Sequence, residues 1–176
     1  LALRAAAYES RIKAVIAYDI IWNFYKGMLG SSPLARGLLG ALSVLRARGL
    51  AKRLEARIRR NDFADWYLSH GKHIMGACDL LSFVEELRRY DAAPISPLVT
   101  QDVLLMAGTD DVWTRFLPAQ RRALGKARSV ECRVFGPEEH ASHHCQVGNL
   151  GLALEVMLDW LDRRYGRGPS PSKYAR

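Results

Sequence analysis

Asp111 and His144 are the two residues of this 176-residue chain whose types and spacing best support chemistry. Asp111 closes Gly108-Thr-Asp-Asp111 at the end of an apolar run, and His144 follows about thirty residues on. A carboxylate bonded to an imidazole fixes the ring's tautomer and stabilises the imidazolium that forms when the ring takes a proton. Such a pair serves nucleophilic attack on a carbonyl. The nucleophile would be a Ser on a tight strand-to-helix turn, with the pattern Gly-x-Ser-x-Gly. That pattern occurs nowhere in the sequence.

Each of these residues also has a plainer use. An acidic residue after a strand often caps the next segment. Asp110 is a local rival, one residue nearer the strand, and its side chain should diverge from that of Asp111. The segment Glu138-Glu-His-Ala-Ser-His-His-Cys145 is crowded with alternatives. His140, His143, His144 and Cys145 are metal-ligand types. No matching ligand pair stands elsewhere, so no metal is expected. Cys145 reads as a structural thiol rather than a nucleophile. His70-Gly-Lys-His73 follows Trp66 and either lines a substrate pocket or solvates a helix end.

The elements that must position Asp111 and His144 are legible as patterns. Residues 1 to about 9 are Ala- and Leu-rich and read as helix. Ile12-Lys-Ala-Val-Ile-Ala-Tyr-Asp19 is an apolar run of strand length, suited to burial on both faces. Asp102-Val-Leu-Leu-Met-Ala-Gly108 is a second such strand, and Ser129 to Phe135 a third. Pro118 to Lys126 reads as the helix between the last two. Gly136 to Gly148 is a loop carrying His144. A terminal helix follows, capped by Asn149, with Leu150, Ala153, Leu154, Met157 and Leu161 on its apolar face.

From Ile20 to about Tyr90 no strand pattern appears. Leu38, Leu42 and Leu45 recur at helical spacing, as do Leu50, Leu54 and Ile58, with Gly49 as the expected break. Asp79 to Arg89 reads as a further helix with Leu80, Phe83, Val84 and Leu87 on one face. Strands separated by helices predict an α/β fold with parallel strands. The helical block is too long for an ordinary crossover. It reads as a cap inserted over the carboxyl ends of the strands, where ligands bind in such folds.

With those residues placed, the chain resembles an α/β-hydrolase of the serine-hydrolase type, in the dipeptidyl-aminopeptidase-like subgroup. The matching stretches are Arg11-Ile-Lys-Ala-Val-Ile-Ala-Tyr-Asp19, Trp66-Tyr-Leu-Ser-His-Gly71, Asp102-Val-Leu-Leu-Met-Ala-Gly-Thr-Asp-Asp111 and His143-His-Cys-Gln-Val-Gly-Asn-Leu-Gly-Leu-Ala-Leu154. The last is the most specific, and together they span most of Leu1 to Arg163. The resemblance implies that Asp111 is the triad acid and His144 the triad base. Chain order Ser, Asp, His then places the Ser upstream of Leu1, with the oxyanion-hole donors and early strands. Leu1-Ala-Leu-Arg-Ala-Ala-Ala7 matches the helix after the serine turn. Val112-Trp-Thr-Arg-Phe116 departs from the family's usual segment after the acid. The expected fold is a partial α/β-hydrolase of about three parallel strands, with flanking helices and an inserted helical cap. Residues 1–19 and 91–165 would form the core, 20–90 the cap, and 166–176 a disordered tail.

The implied substrate is a small molecule with an ester, amide or related carbonyl bond, and no cofactor is implied. Trp66 and His70 are its candidate binding residues. The net charge of +8 comes largely from Arg46, Arg48, Lys52, Arg53, Arg57, Arg59 and Arg60. Aromatic interleaving and any nucleic-acid motif are absent, so this stretch reads as a solvated helix face rather than a nucleic-acid or membrane contact. Three scattered Cys point to a reducing, cytoplasmic setting. No apolar stretch reaches membrane-spanning length. The alternative function is a non-catalytic, truncated binding or interaction module with a basic surface.

Overall fold

The computed structural model of the chain describes residues 1–28 and 32–166. It forms an α/β unit of Leu1–Trp22 with the chain from Ala92 onward, and a helical unit, Asn23–Asp91.

The α/β unit is a three-stranded parallel sheet flanked by helices. Its strands are β1 (Ala14–Tyr18), β2 (Asp102–Gly108) and β3 (Ser129–Phe135), in the order β1-β2-β3. Pairing starts at Ala14 opposite Asp102 and at Asp102 opposite Ser129, so all three strands end at the same edge. Every residue of β2 is buried, which explains why its sequence is apolar without alternation. Val103, Leu105 and Ala107 pack with Ala6, Val15, Ala17 and Leu124 on one face. There α1 (Ala2–Tyr8) and α7 (Leu117–Ala123) supply the cover. Leu104 and Met106 pack on the other face with Phe135, Ala153 and Trp160. That face is covered by α8 (Leu150–Tyr165), whose N-cap Asn149 accepts the Leu152 N–H through its side chain.

Two details of the expected pattern are corrected. The buried face of α8 is built on Ala153 and Trp160, whereas Leu150 and Leu154 are exposed. The helix expected over Pro118 to Lys126 runs over Leu117–Ala123. Among the described residues, neither β1 nor β3 has a strand on its outer side.

The helical unit contains α2 (Phe24–Met28), α3 (Pro33–Val44), α4 (Arg48–Ile58), α5 (Asp62–Met75) and α6 (Leu80–Arg89). Helix α6 is its spine. Leu80, Phe83, Val84 and Leu87 are buried, and Asp79 and Ser82 form a reciprocal capping box at its start. Gly71 lets α5 approach closely, since a Cβ there would meet the Phe83 ring at 2.7 Å. The chain enters and leaves this unit side by side, with Asn23 bridged to Asp91. The break between α3 and α4 is not at Gly49, which lies inside α4. It falls at Leu45–Ala47, where Arg46 takes a left-handed φ of 49°. Leu39 and Leu42 are buried on α3, while Leu38 and Leu45 are exposed.

No helix among the described residues is long and apolar enough to cross a membrane. Gly166 ends α8; the tail expected beyond it lies outside the described residues.

Candidate active site

The carboxyl ends of the three parallel strands bring the candidate residues together. Beyond β2 the chain makes one more ladder bond, Thr109 N–H to Phe135 O at 3.0 Å. It then turns, with Asp111 N–H bonded to Gly108 O at 3.1 Å. Asp110 faces outward and is exposed, whereas Asp111 is buried. The Asp111 side chain closes a local turn, since its Oδ1 accepts the Trp113 N–H at 3.0 Å. Its Oδ2 is left for the loop after β3.

That loop crosses directly over the end of β2. The Asp110 N–H bonds Ser142 O at 2.8 Å, and a Cβ on Gly108 would collide with the same carbonyl. Gly108 therefore permits the close approach that delivers the next residues to the site. His144 follows, and its Nδ1 lies 2.8 Å from Asp111 Oδ2. The Asp111 side chain is 2% exposed and that of His144 53%. The ring thus has one nitrogen on a buried acid. Its Nε2 has no bonded partner among the described residues. His140 and His143 are exposed and bond no carboxylate there.

The residues after His144 hold it in strained backbone. Cys145 and Gln146 have φ of 51° and 46°, in the left-handed region that non-glycine residues rarely occupy. The Cys145 N–H is bonded by the Asp19 carboxylate, and its carbonyl accepts the Tyr18 hydroxyl. Tyr18 ends β1 and Asp19 follows it, so the first strand pins the backbone that carries His144.

Asp19 is the site residue that sequence reasoning missed. Its Oδ2 lies 3.0 Å from His144 Nδ1, and its side chain is as buried as that of Asp111. The signal was present, because Asp19 also directly follows an apolar strand. Burial pushes the Asp19 carboxyl up, and the Asp111 charge adds to this, against the Cys145 N–H and the charge of His144. Asp19 Oδ1 and both polar atoms of the Gln146 side chain are buried without a hydrogen-bond partner. Burying polar atoms without a partner is costly.

The ligand atoms of Asp19, His144 and Cys145 lie within 4.8 Å of one another, so by residue type they could hold a metal ion. His144 Nδ1, however, is already engaged by two carboxylates. Burial and the charges of Asp19 and Asp111 push the Cys145 thiol up, which disfavours it as a thiolate nucleophile.

Trp66 and His70 lie on α5 in the helical unit. Their rings stack at 5.3 Å with an interplanar angle of 8°, and both residues are exposed. The same unit has a groove of about 440 Å³ beside α4, lined in part by Arg48, Lys52, Glu55, Arg59 and Asp79.

No protein-family model and no curated protein matches the chain.

Proposed function

We propose that this chain carries the acid and base of a serine hydrolase acting on ester, amide or related carbonyl bonds. The single observation that carries the proposal is His144. Its Nδ1 rests on buried Asp111 while its Nε2 is unengaged at the carboxyl edge of a parallel sheet. In the reaction, His144 Nε2 removes the proton from an attacking hydroxyl and later returns it to the leaving group. Asp111 holds the ring with its proton on Nδ1 and stabilises the imidazolium. The nucleophile is a Ser outside residues 1–176, upstream of Leu1, with the resemblance to α/β-hydrolases as the support. The fold class is compatible with this. No cofactor takes part.

The helical unit, on this reading, is a cap. Trp66 and His70, whose exposed rings stack on each other, are its proposed substrate-binding residues. The three cysteines are free, which fits a reducing, cytoplasmic setting. A second reading is a non-catalytic binding module, and the groove beside α4 with its basic side chains favours it. The two differ in what His144→Ala changes, which is hydrolysis in the first and nothing in the second.

Residues 1–176 alone should neither hydrolyse short-chain aryl esters above buffer nor be labelled by a fluorophosphonate. Removing a catalytic Ser costs on the order of 10⁶ in turnover even in an intact site. Labelling of this chain would place the nucleophile within it and overturn the upstream assignment.

A further inference from the structure

Asp19 meets the same ring nitrogen as Asp111, from the neighbouring strand. Its Oδ2 is 3.0 Å from His144 Nδ1 and also receives the Cys145 N–H. The placement is expensive. The side chain is 2% exposed, its backbone φ is 49°, and another carboxylate stands beside it. The fold obtains nothing structural from Asp19 that an Asn would not supply, because an amide oxygen would accept the Cys145 N–H as well. Only an acid can become an anionic acceptor for the imidazole when Asp111 carries no charge.

We propose that Asp19 is a second positioning residue for His144, forming with Asp111 an acid pair that shares one proton and grips Nδ1–H from two strands. The inference rests on the reading of His144 as a general base and deepens it. The proton inventory is simple. With one proton between the two acids, Asp19 holds it and Asp111 accepts Nδ1–H. When Nε2 takes the proton of the attacking hydroxyl, the imidazolium faces one net negative charge. The cluster of two acids and ring thus passes from one negative charge to none, while the charge moves to the attacking oxygen. If Asp111 loses its charge, Asp19 releases its proton to solvent and becomes the acceptor. The raised Asp19 carboxyl agrees with its being the protonated member.

The test is the tautomer of His144, read by nitrogen-15 NMR of the histidine-labelled 176-residue chain at a pH where the ring is neutral. The other four histidines serve as internal references. The wild type and Asp19→Asn should both hold the proton on Nδ1. Asp111→Asn should retain it there through Asp19. Only Asp19→Asn with Asp111→Asn should shift it to Nε2, lowering the Nδ1–H to Nε2–H ratio by about tenfold or more relative to Asp111→Asn alone. A smaller difference between those two variants overturns the proposal.

A second readout does not need the double variant to fold. The His144 Nδ1–H proton resonance should move on Asp19→Asn alone, and an unmoved resonance overturns the proposal. So does an Asp19→Asn chain that fails to fold, because Asp19 would then be a structural anchor. None of these failures touches the hydrolase reading, which would stand on Asp111. Conversely, hydrolysis indifferent to His144→Ala refutes that reading and leaves the acid pair in place.

Discussion

Two carboxylates converge on one imidazole nitrogen, and their stability consequences follow from burial. Asp19 is an acid whose carboxyl is raised in the folded chain, first by burial and then by Asp111. Folding therefore favours its protonated form. That contribution is complete below the ordinary carboxylate range and is lost as pH rises through the raised value. Asp19→Asn is neutral at every pH and still accepts the Cys145 N–H. Its melting temperature should match the wild type under acid conditions and exceed it increasingly as pH rises toward neutrality. Melting curves of both chains across that range check this, and a variant that loses stability with rising pH would contradict it. The residue that matters for orientation is thus one the fold would be more stable without. Asp111 and His144 were legible from sequence because the strand-end acid and the histidine-bearing loop could be read together, whereas the same strand-end signal at Asp19 had no partner near it in the sequence. Asp19 was not. Its role depends on Cys145 and His144 folding back over β1, a contact between residues more than a hundred positions apart.

The amino ends of β2 and β3 are tied to each other and to the end of α8 by Asp102, which opens β2. Its side chain, 5% exposed, accepts hydrogen bonds from Arg128, Arg164, Ser129 and Tyr165. The Arg128 bond is the largest of the causes that hold this carboxyl well below the usual carboxylate range. The stabilisation is therefore present above the ordinary carboxylate range and is lost as pH falls through it. Asp102→Asn should cost about 2 kcal/mol near neutral pH, mostly through the bonds to Ser129 and Tyr165, since the exposed Arg128 head is screened by water. Urea unfolding at neutral pH and in acid checks this, because the difference from wild type should shrink in acid. A constant difference would contradict it. At this scale the sequence was readable where packing follows periodicity. Helix α6 shows this, with Leu80, Phe83, Val84 and Leu87 all buried. It misled where backbone conformation decides. The α3–α4 break falls at Arg46, a non-glycine residue in left-handed conformation, while Gly49 is tolerated in the first turn of α4. Leu150 and Leu154 match the helical period of α8 but lie off its buried face, because Trp160 fills the space against the sheet.

As a whole, the α/β unit presents surface that a self-sufficient sheet would cover. The outer sides of β1 and β3 are unpaired among the described residues. On α8, Leu150, Leu154 and Leu158 are 55, 57 and 59% exposed at one-turn spacing. Open strand edges and apolar stripes of this kind drive association. Sedimentation of residues 1–176 should show concentration-dependent self-association that weakens in Leu154→Glu with Leu158→Glu, without loss of melting temperature. A monomeric, cooperatively unfolding chain would contradict the view that this unit is completed by further structure. The parallel sheet and its helices were readable from alternating strand and helix patterns, whereas the exposed side of α8 was not. The central claim is that His144, oriented by Asp111, is the base of a serine hydrolase. Its most direct test is aryl-ester hydrolysis by the polypeptide extended with the native coding sequence upstream of Leu1. The account predicts fluorophosphonate-sensitive turnover that falls on the order of 10⁶-fold with His144→Ala. Turnover unchanged by His144→Ala, or equal turnover from residues 1–176 alone, would contradict it.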